Sequence, residues 1–133
     1  MKVNIYSDGG SRGNPGPAAI GVYIEDKAGK KIKSISRYIG ETTNNQAEYQ
    51  AVLAGLAYVK DLKPEEVTCY LDSELVVKQM NGEYKVKDPD LAEQFIKVWN
   101  LQHEFAKIEF KHIRREKNKK ADMLVNLALD RRK

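Results

Sequence analysis

Four acidic residues stand where the pattern of the chain could bring them together. Asp8 closes an alternating stretch, Lys2–Asp8, in which Val3, Ile5 and Ser7 share one parity and Asn4, Tyr6 and Asp8 the other. Asp72 closes a second β-rich run, Val67–Asp72, where Thr68, Tyr70 and Asp72 share a face. Glu48 lies one turn into the helical segment Asn44–Lys60 that joins these strands, and Val52, Gly55, Leu56 and Val59 follow it at helical spacing. A glutamate at the head of an apolar stripe faces the edge of the core, where an unpaired charge is costly, so it calls for a cation. Asp122 opens the last helical segment, ahead of an apolar run from Met123 to Leu129 broken only by Asn126. Crowded carboxylates raise one another's pKa, and a hard divalent cation relieves them. Magnesium prefers oxygen ligands and is often shared with substrate phosphates. The pattern points to metal-dependent phosphoryl transfer. Taken singly, Asp8 and Asp72 also read as turn-initiating aspartates, and Asp122 as an acid that complements a helix dipole.

The elements that must position these acids follow from the punctuation of the chain. Gly9–Pro17 is a glycine- and proline-rich loop, Ala18–Glu25 a second strand, Asp26–Gly29 a turn and Lys31–Ile39 a third strand. Thr43 and Gln46 have capping-box spacing at the head of the Asn44–Lys60 helix. Ser73–Asn81 reads as a helix ended by Gly82, and a helix begun at Pro89 runs to about Phe105. Ile108–Ile113 is the last strand and Lys119–Arg131 the last helix. The order βββ-α-β-α-α-β-α implies an α/β fold, a mixed five-stranded sheet with helices on it. A right-handed crossover would set the first and fourth strands parallel and adjacent. Asp8 and Asp72 would then lie side by side at the carboxyl ends of the strands, where open α/β sheets bind ligands.

With 133 residues, 41% of them apolar, the chain is expected to form one domain over residues 1–133. The longest apolar stretch, Ala51–Val59, is far too short to cross a membrane. The N-terminus enters a strand pattern without a secretory signal, and a single cysteine excludes an internal disulfide or a Cys-based zinc cluster. A cytoplasmic protein is expected. The net charge of +4 is local: Lys111–Lys120 holds six basic residues against Glu116, so the rest of the chain is slightly acidic. That run is either a solvated loop or a polyanion contact, and composition does not decide between them.

Four segments taken together resemble type 1 ribonuclease H: Tyr6-Ser7-Asp8-Gly9-Gly10-Ser11 with Gly13-Asn14-Pro15-Gly16, Thr43-Asn44-Asn45-Gln46-Ala47-Glu48, Leu71-Asp72-Ser73, and Asn118-Lys119-Lys120-Ala121-Asp122. They span residues 6 to 122 in this order. The resemblance implies a ribonuclease H-like sheet of order 3-2-1-4-5, with strand 2 antiparallel and helices on both faces. It implies endonucleolytic cleavage of the RNA strand of RNA–DNA hybrids, leaving 5′-phosphate and 3′-hydroxyl ends. By position, Asp8, Glu48, Asp72 and Asp122 match the family's catalytic, metal-binding carboxylates, which would hold two Mg²⁺, with Mn²⁺ as a substitute. Gly9, Gly10, Ser11, Asn14, Asn44 and Asn45 match positions that contact the hybrid in its minor groove. Thr43 matches a residue that holds a DNA-strand phosphate, and is equally a helix cap.

The chain departs from the family pattern in several places, among them Glu74, where some members use glutamine to touch substrate. The stretch Asn81–Pro89 is too short for the basic helical protrusion of larger bacterial members, leaving Lys85 and Lys87. The loop before Asp122 reads Arg114-Arg115-Glu116-Lys117-Asn118, without the histidine that many members carry there. Arg115 and Lys117 are then expected to hold substrate phosphates, while His112, Cys69, Phe95 and Trp99 read as structural. The expected partner is a hybrid duplex, with no membrane and no obligate protein partner, and the protein is expected to be a monomer. A nuclease of the same fold acting also on double-stranded RNA, and a non-catalytic hybrid-binding module, are the alternatives.

Overall fold

A computed structural model describes residues 1–132; Lys133, the last residue of the expected domain, lies outside them. Five strands form one sheet: β1 (Lys2–Ser11), β2 (Gly16–Asp26), β3 (Lys31–Thr42), β4 (Glu66–Leu71) and β5 (Ile108–His112). Their spatial order is β3-β2-β1-β4-β5. β1 runs antiparallel to β2 and parallel to β4, β2 runs antiparallel to β3, and β4 runs parallel to β5. The four α-helices are α1 (Asn44–Lys60), α2 (Glu74–Met80), α3 (Pro89–Gln102) and α4 (Lys119–Arg131), with a 3₁₀ turn at Arg115–Lys117 before α4. The mixed sheet of order 3-2-1-4-5 with helices on both faces is the expected one.

The alternation of β1 divides the molecule. Val3 and Ile5 point into the main core with Ile20, Val22 and Ile24 of β2 and with Val52, Leu56 and Val59 of α1. α3 covers α1 and adds Leu91 and Val98 to that core. The opposite face carries α4, whose Val125, Ala128 and Leu129 pack on Ala19. The lone Cys69 is buried in the main core, as its place on β4 suggested. Phe95 packs against that core, whereas Trp99, stacked on it at 5.5 Å, is partly exposed.

Side-chain caps fix three helix starts. Thr43 Oγ1 accepts from the Gln46 N–H at 3.2 Å, Ser73 Oγ from Val76 at 3.3 Å, and Asp88 Oδ1 from Asp90 at 2.9 Å. α4 differs. Asn118 stands at its N-cap without a capping hydrogen bond, and its side-chain amide instead donates to the Ser7 carbonyl of β1 at 2.9 Å.

Three boundaries differ from the sequence reading by three residues each. β1 continues through Gly9 and Gly10 to Ser11, because their backbones pair with Ile20, Ala19 and Ala18 of β2 and the ladder outweighs glycine's poor strand preference. The β2–β3 ladder likewise carries β3 past Ile39 to Thr42, opposite Gly16. α3 stops at Gln102, where the chain turns toward β5 rather than continuing to Phe105.

Candidate metal centre and nucleic-acid cleft

β1 and β4 pair in register, Asn4 opposite Thr68 and Tyr6 opposite Tyr70, and the two tyrosine rings stack at 4.9 Å. One pleat further on, the same register sets Asp8 beside Asp72. Glu48 arrives from the other side of the sheet. It can do so because residue 9 is glycine: a Cβ there would lie 2.2 Å from the Ala47 carbonyl carbon. This close approach lets the Gly9 N–H donate to Glu48 Oε1 at 3.0 Å. Gly21, paired with Asp8 across the β1–β2 ladder, does the same on the opposite face. Its missing Cβ would meet the Ala121 carbonyl oxygen at 2.1 Å, so the first turn of α4, with Asp122, sits close on the sheet.

Asp8, Glu48 and Asp72 each offer an oxygen within 4.8 Å of the others. Asp8 and Glu48 are buried and Asp72 is partly so. Burial drives the Asp8 carboxyl up to about 7; its close contact with Glu48 lowers it, and Asp72 and Asp122 push it further up. Burial likewise raises Glu48 well above the usual carboxylate range, with its contact to Asp8 adding to the effect and the Gly9 N–H opposing it. Burial raises Asp72 too, and there the Asn118 amide and the Arg115 guanidinium pull the other way. Glu48 Oε2 is buried without a hydrogen-bond partner. Three desolvated, mutually repelling carboxylates with an orphaned oxygen between them form a donor set that fits a hard divalent cation.

Asp122 is not one of the three acids whose oxygens all lie within 4.8 Å of one another, but it adjoins them closely enough to act on Asp8 and Asp72. Its Oδ1 lies 3.4 Å from an Arg115 guanidinium nitrogen, and it is partly exposed. All four carboxylates and Arg115 line one open cleft of about 540 Å³. Gly9, Gly10, Ser11, Asn44 and Asn45 line it as well. Asn44 is held there. Its Oδ1 accepts from the Ser11 N–H at 2.8 Å and faces the Ser11 hydroxyl at 3.1 Å, and its backbone N–H donates to Asn14 Oδ1 at 3.0 Å. With its oxygen engaged, Asn44 offers the cleft only its amide donors.

Three expected contact residues fall outside the lining. Asn14 accepts from the Asn44 backbone, Thr43 caps α1, and Lys117 borders a separate depression with Tyr6, Glu25 and Lys120. His112 is exposed on β5, opposite Leu71. The sequence reading missed two residues. Asn118 is buried and ties the start of α4 to β1, but as a lone asparagine among basic residues it carried no signal beyond its place in a motif. Arg12 lines the cleft and pairs with Asp130, a contact between residues 118 apart that no local pattern reveals.

Among the described residues no helix is long and apolar enough to cross a membrane. A family model described as "Reverse transcriptase-like" matches residues 6–128. A bifunctional protein of Mycobacterium tuberculosis is 42% identical over 131 residues, 98% of this chain and 36% of that protein. Ribonuclease HI of Halobacterium salinarum is 40% identical over 129 residues, 97% of this chain and 65% of its own length. The chain thus spans about a third of the first relative and under two-thirds of the second. Among solved structures, LC11-RNase H1 in complex with an RNA/DNA hybrid superposes with a TM-score of 0.92 at 49% identity, covering 96% of each chain. Sequence motifs, sheet order and whole-domain similarity agree: the chain belongs to the ribonuclease H family.

Proposed function

We propose that this chain is an endoribonuclease that hydrolyses the RNA strand of RNA–DNA hybrids, leaving 5′-phosphate and 3′-hydroxyl ends. One observation carries the reading: a close triad of carboxylates, Asp8 and Glu48 buried and Asp72 partly so, opens into the cleft that Asn44, Asn45 and the Gly9–Ser11 backbone line. The likeness to a ribonuclease H1 bound to an RNA/DNA hybrid supports it. Asp8, Glu48 and Asp72, with Asp122 at the rim, would hold two Mg²⁺ ions or Mn²⁺ in their place, and ions bound there supply an activated water and neutralise charge at the scissile phosphate.

The chain's own groups do the rest. Gly10 admits a nucleic-acid backbone close to β1, beside the Gly9 backbone that also lines the cleft. The Asn44 amide, fixed by Ser11 and Asn14, donates toward the minor groove, where the 2′-hydroxyl that marks RNA is displayed. Asn45 lies beside it in the cleft. Arg115 stands at the rim as a phosphate contact, Lys117 adds positive field from outside the cleft, and Thr43 combines its cap with a hold on the DNA strand. In this reading residues 1–133 act as one ribonuclease H domain, a cytoplasmic monomer whose required partner is the hybrid duplex.

The test is Mg²⁺-dependent digestion of matched hybrid, RNA–RNA and DNA–DNA duplexes. Cleavage of the hybrid alone is expected, stopped at any position where a deoxynucleotide replaces the scissile ribonucleotide. Asn44→Ala or Asn45→Ala should weaken the discrimination by about 1–3 kcal/mol. Equal cutting of a DNA duplex would overturn the minor-groove assignment, efficient cutting of RNA–RNA would widen the substrate class, and binding without cutting would leave only a hybrid-binding module.

A further inference from the structure

The cleft does not end at the carboxylates. Beyond Gly10 and Ser11 it is lined by Arg12, which no family motif in this chain singles out, and by Val125, Asn126 and Leu129 along one side of α4. Two arginines from distant parts of the chain are each held by a carboxylate of that helix. Arg115 lies 3.4 Å from Asp122, and Arg12 lies 2.6 Å from Asp130. Asp122, Asn126 and Asp130 follow one another at i, i+4 and i+8, so they form one row. Eight residues at a rise of 1.5 Å set the two carboxylates about 12 Å apart along the helix axis.

The backbone at Arg12 is fixed. Its N–H donates to the Pro17 carbonyl at 2.8 Å, closing the β1–β2 connection, and the preceding Ser11 N–H is anchored on Asn44. The side chain is half exposed, and Asp130 takes up one of its guanidinium nitrogens. A guanidinium has five N–H donors in a rigid fork, so most of them stay available on the cleft side. Such a fork matches a phosphate in two parallel hydrogen bonds.

We propose that Arg12, oriented by Asp130, is a second phosphate-binding subsite that grips the cut strand two to four nucleotides from the scissile phosphate. The spacing follows from the row on α4: an RNA–DNA hybrid is close to A-form and rises somewhat less per nucleotide than the roughly 3.4 Å of B-DNA, so about 12 Å along the duplex spans up to about four nucleotides. Arg115 thus stands beside the carboxylate cluster and Arg12 remote from it. The inner arginine faces the charge that reacts, and the outer one sets the register of the strand. Asp130 is a positioning residue; it touches no substrate. This inference rests on the nuclease reading above.

The experiment combines Arg12 variants with hybrids carrying a neutral methylphosphonate at one RNA linkage at a time. Binding is measured by fluorescence anisotropy in EDTA, and cleavage in Mg²⁺. For Arg12→Ala we expect a roughly tenfold rise in KM with kcat within about twofold, and a salt dependence of binding flatter by about one counterion. Arg12→Lys should recover part of the affinity, since it restores the charge without the fork, and Asp130→Asn should raise KM two- to threefold. A neutral linkage two to four nucleotides from the scissile phosphate should weaken binding by the wild type and leave Arg12→Ala unaffected, whereas neutral linkages elsewhere should weaken both alike. If the wild type binds and cuts the hybrid but shows no such position, or if Arg12→Ala keeps the wild-type KM and salt slope, the subsite is wrong and the nuclease reading stands. If the wild type neither binds nor cuts the hybrid, the nuclease reading itself fails. The methylphosphonate scan of the wild type decides the question even if Arg12→Ala does not fold.

Discussion

α1 and α4 each bring one carboxylate to the end of the sheet, and they do so in opposite ways. Glu48 on α1 is buried, locked by the Gly9 N–H, and has an orphaned second oxygen. Asp122 on α4 is partly exposed, lies outside the inner triad, and is balanced by Arg115. One helix builds a rigid, strained site that gains from a cation. The other presents a carboxylate whose charge is already partly answered by the protein. The difference teaches that the four acids are not equivalent: three form a close set, and the fourth stands at its edge, shared with Arg115.

The most direct way to break this comparison is to neutralise each acid in turn. Asp8→Asn or Glu48→Gln should cut kcat by about 10³-fold or more, some 4 kcal/mol of transition-state stabilisation, while Asp122→Asn should lose clearly less. Single-turnover cleavage in Mg²⁺ measures all three. Equal losses would show that the rim acid belongs to the inner set.

The strain in the inner set should also appear in stability without metal. The folded-state pKa of Asp8, about 7, lies above its ordinary value of 3.8, so the folded protein binds that proton more tightly than the unfolded chain does. Its stabilising contribution is complete below pH of about 4 and is lost as pH rises through about 7. Glu48 and Asp72 shift in the same direction. Urea unfolding in EDTA should therefore show stability falling by about 2–4 kcal/mol between pH 4 and 8. Mg²⁺ should restore much of it at neutral pH, and Asp8→Asn should flatten the fall. A flat profile for the wild type would mean that the triad is not desolvated as described.

The two glycines test the two helices separately. Gly9→Ala and Gly21→Ala each drive a Cβ into backbone, against α1 and α4 respectively, and each should cost about 1–3 kcal/mol by overpacking. Their metal binding should diverge. Calorimetric titration should find Gly9→Ala impaired, because Glu48 is displaced, and Gly21→Ala nearer to wild type. The smallest effect is expected at the rim. Arg115→Ala removes an exposed pair worth about 0–1 kcal/mol, so its melting temperature should barely move, while its affinity for hybrid falls. A large loss of stability there would make Arg115 structural rather than a substrate contact.

Residues with strong local signals were legible without the structure. Alternation in β1 and β4 is a period-two pattern that depends only on the chain, so the facing of Asp8 and Asp72 follows from parity once the crossover is right-handed. Glu48 was legible because its apolar stripe assigns it a face. Where the ladder overrides local preference, the reading fell short: the glycine-rich segment after Asp8 looks like a loop, yet β2 pairs with it as far as Ser11.

While the full strand order followed from the family resemblance, the sequence by itself determined the element order, a mixed sheet with β1 beside β4, the candidate inner carboxylates and the basic character of the loop before α4. These rest on periodicity, spacing and charge, which are properties of neighbours along the chain. Only the tertiary structure decided that Asn118 is spent on Ser7 rather than on capping α4, that Lys117 faces away from the cleft, and that Asp122 answers to Arg115 and Arg12 to Asp130. Such pairings depend on how closely each helix can approach the sheet. That approach is set by the absence of a Cβ at Gly9 and Gly21, whose consequence exists only once strand and helix meet.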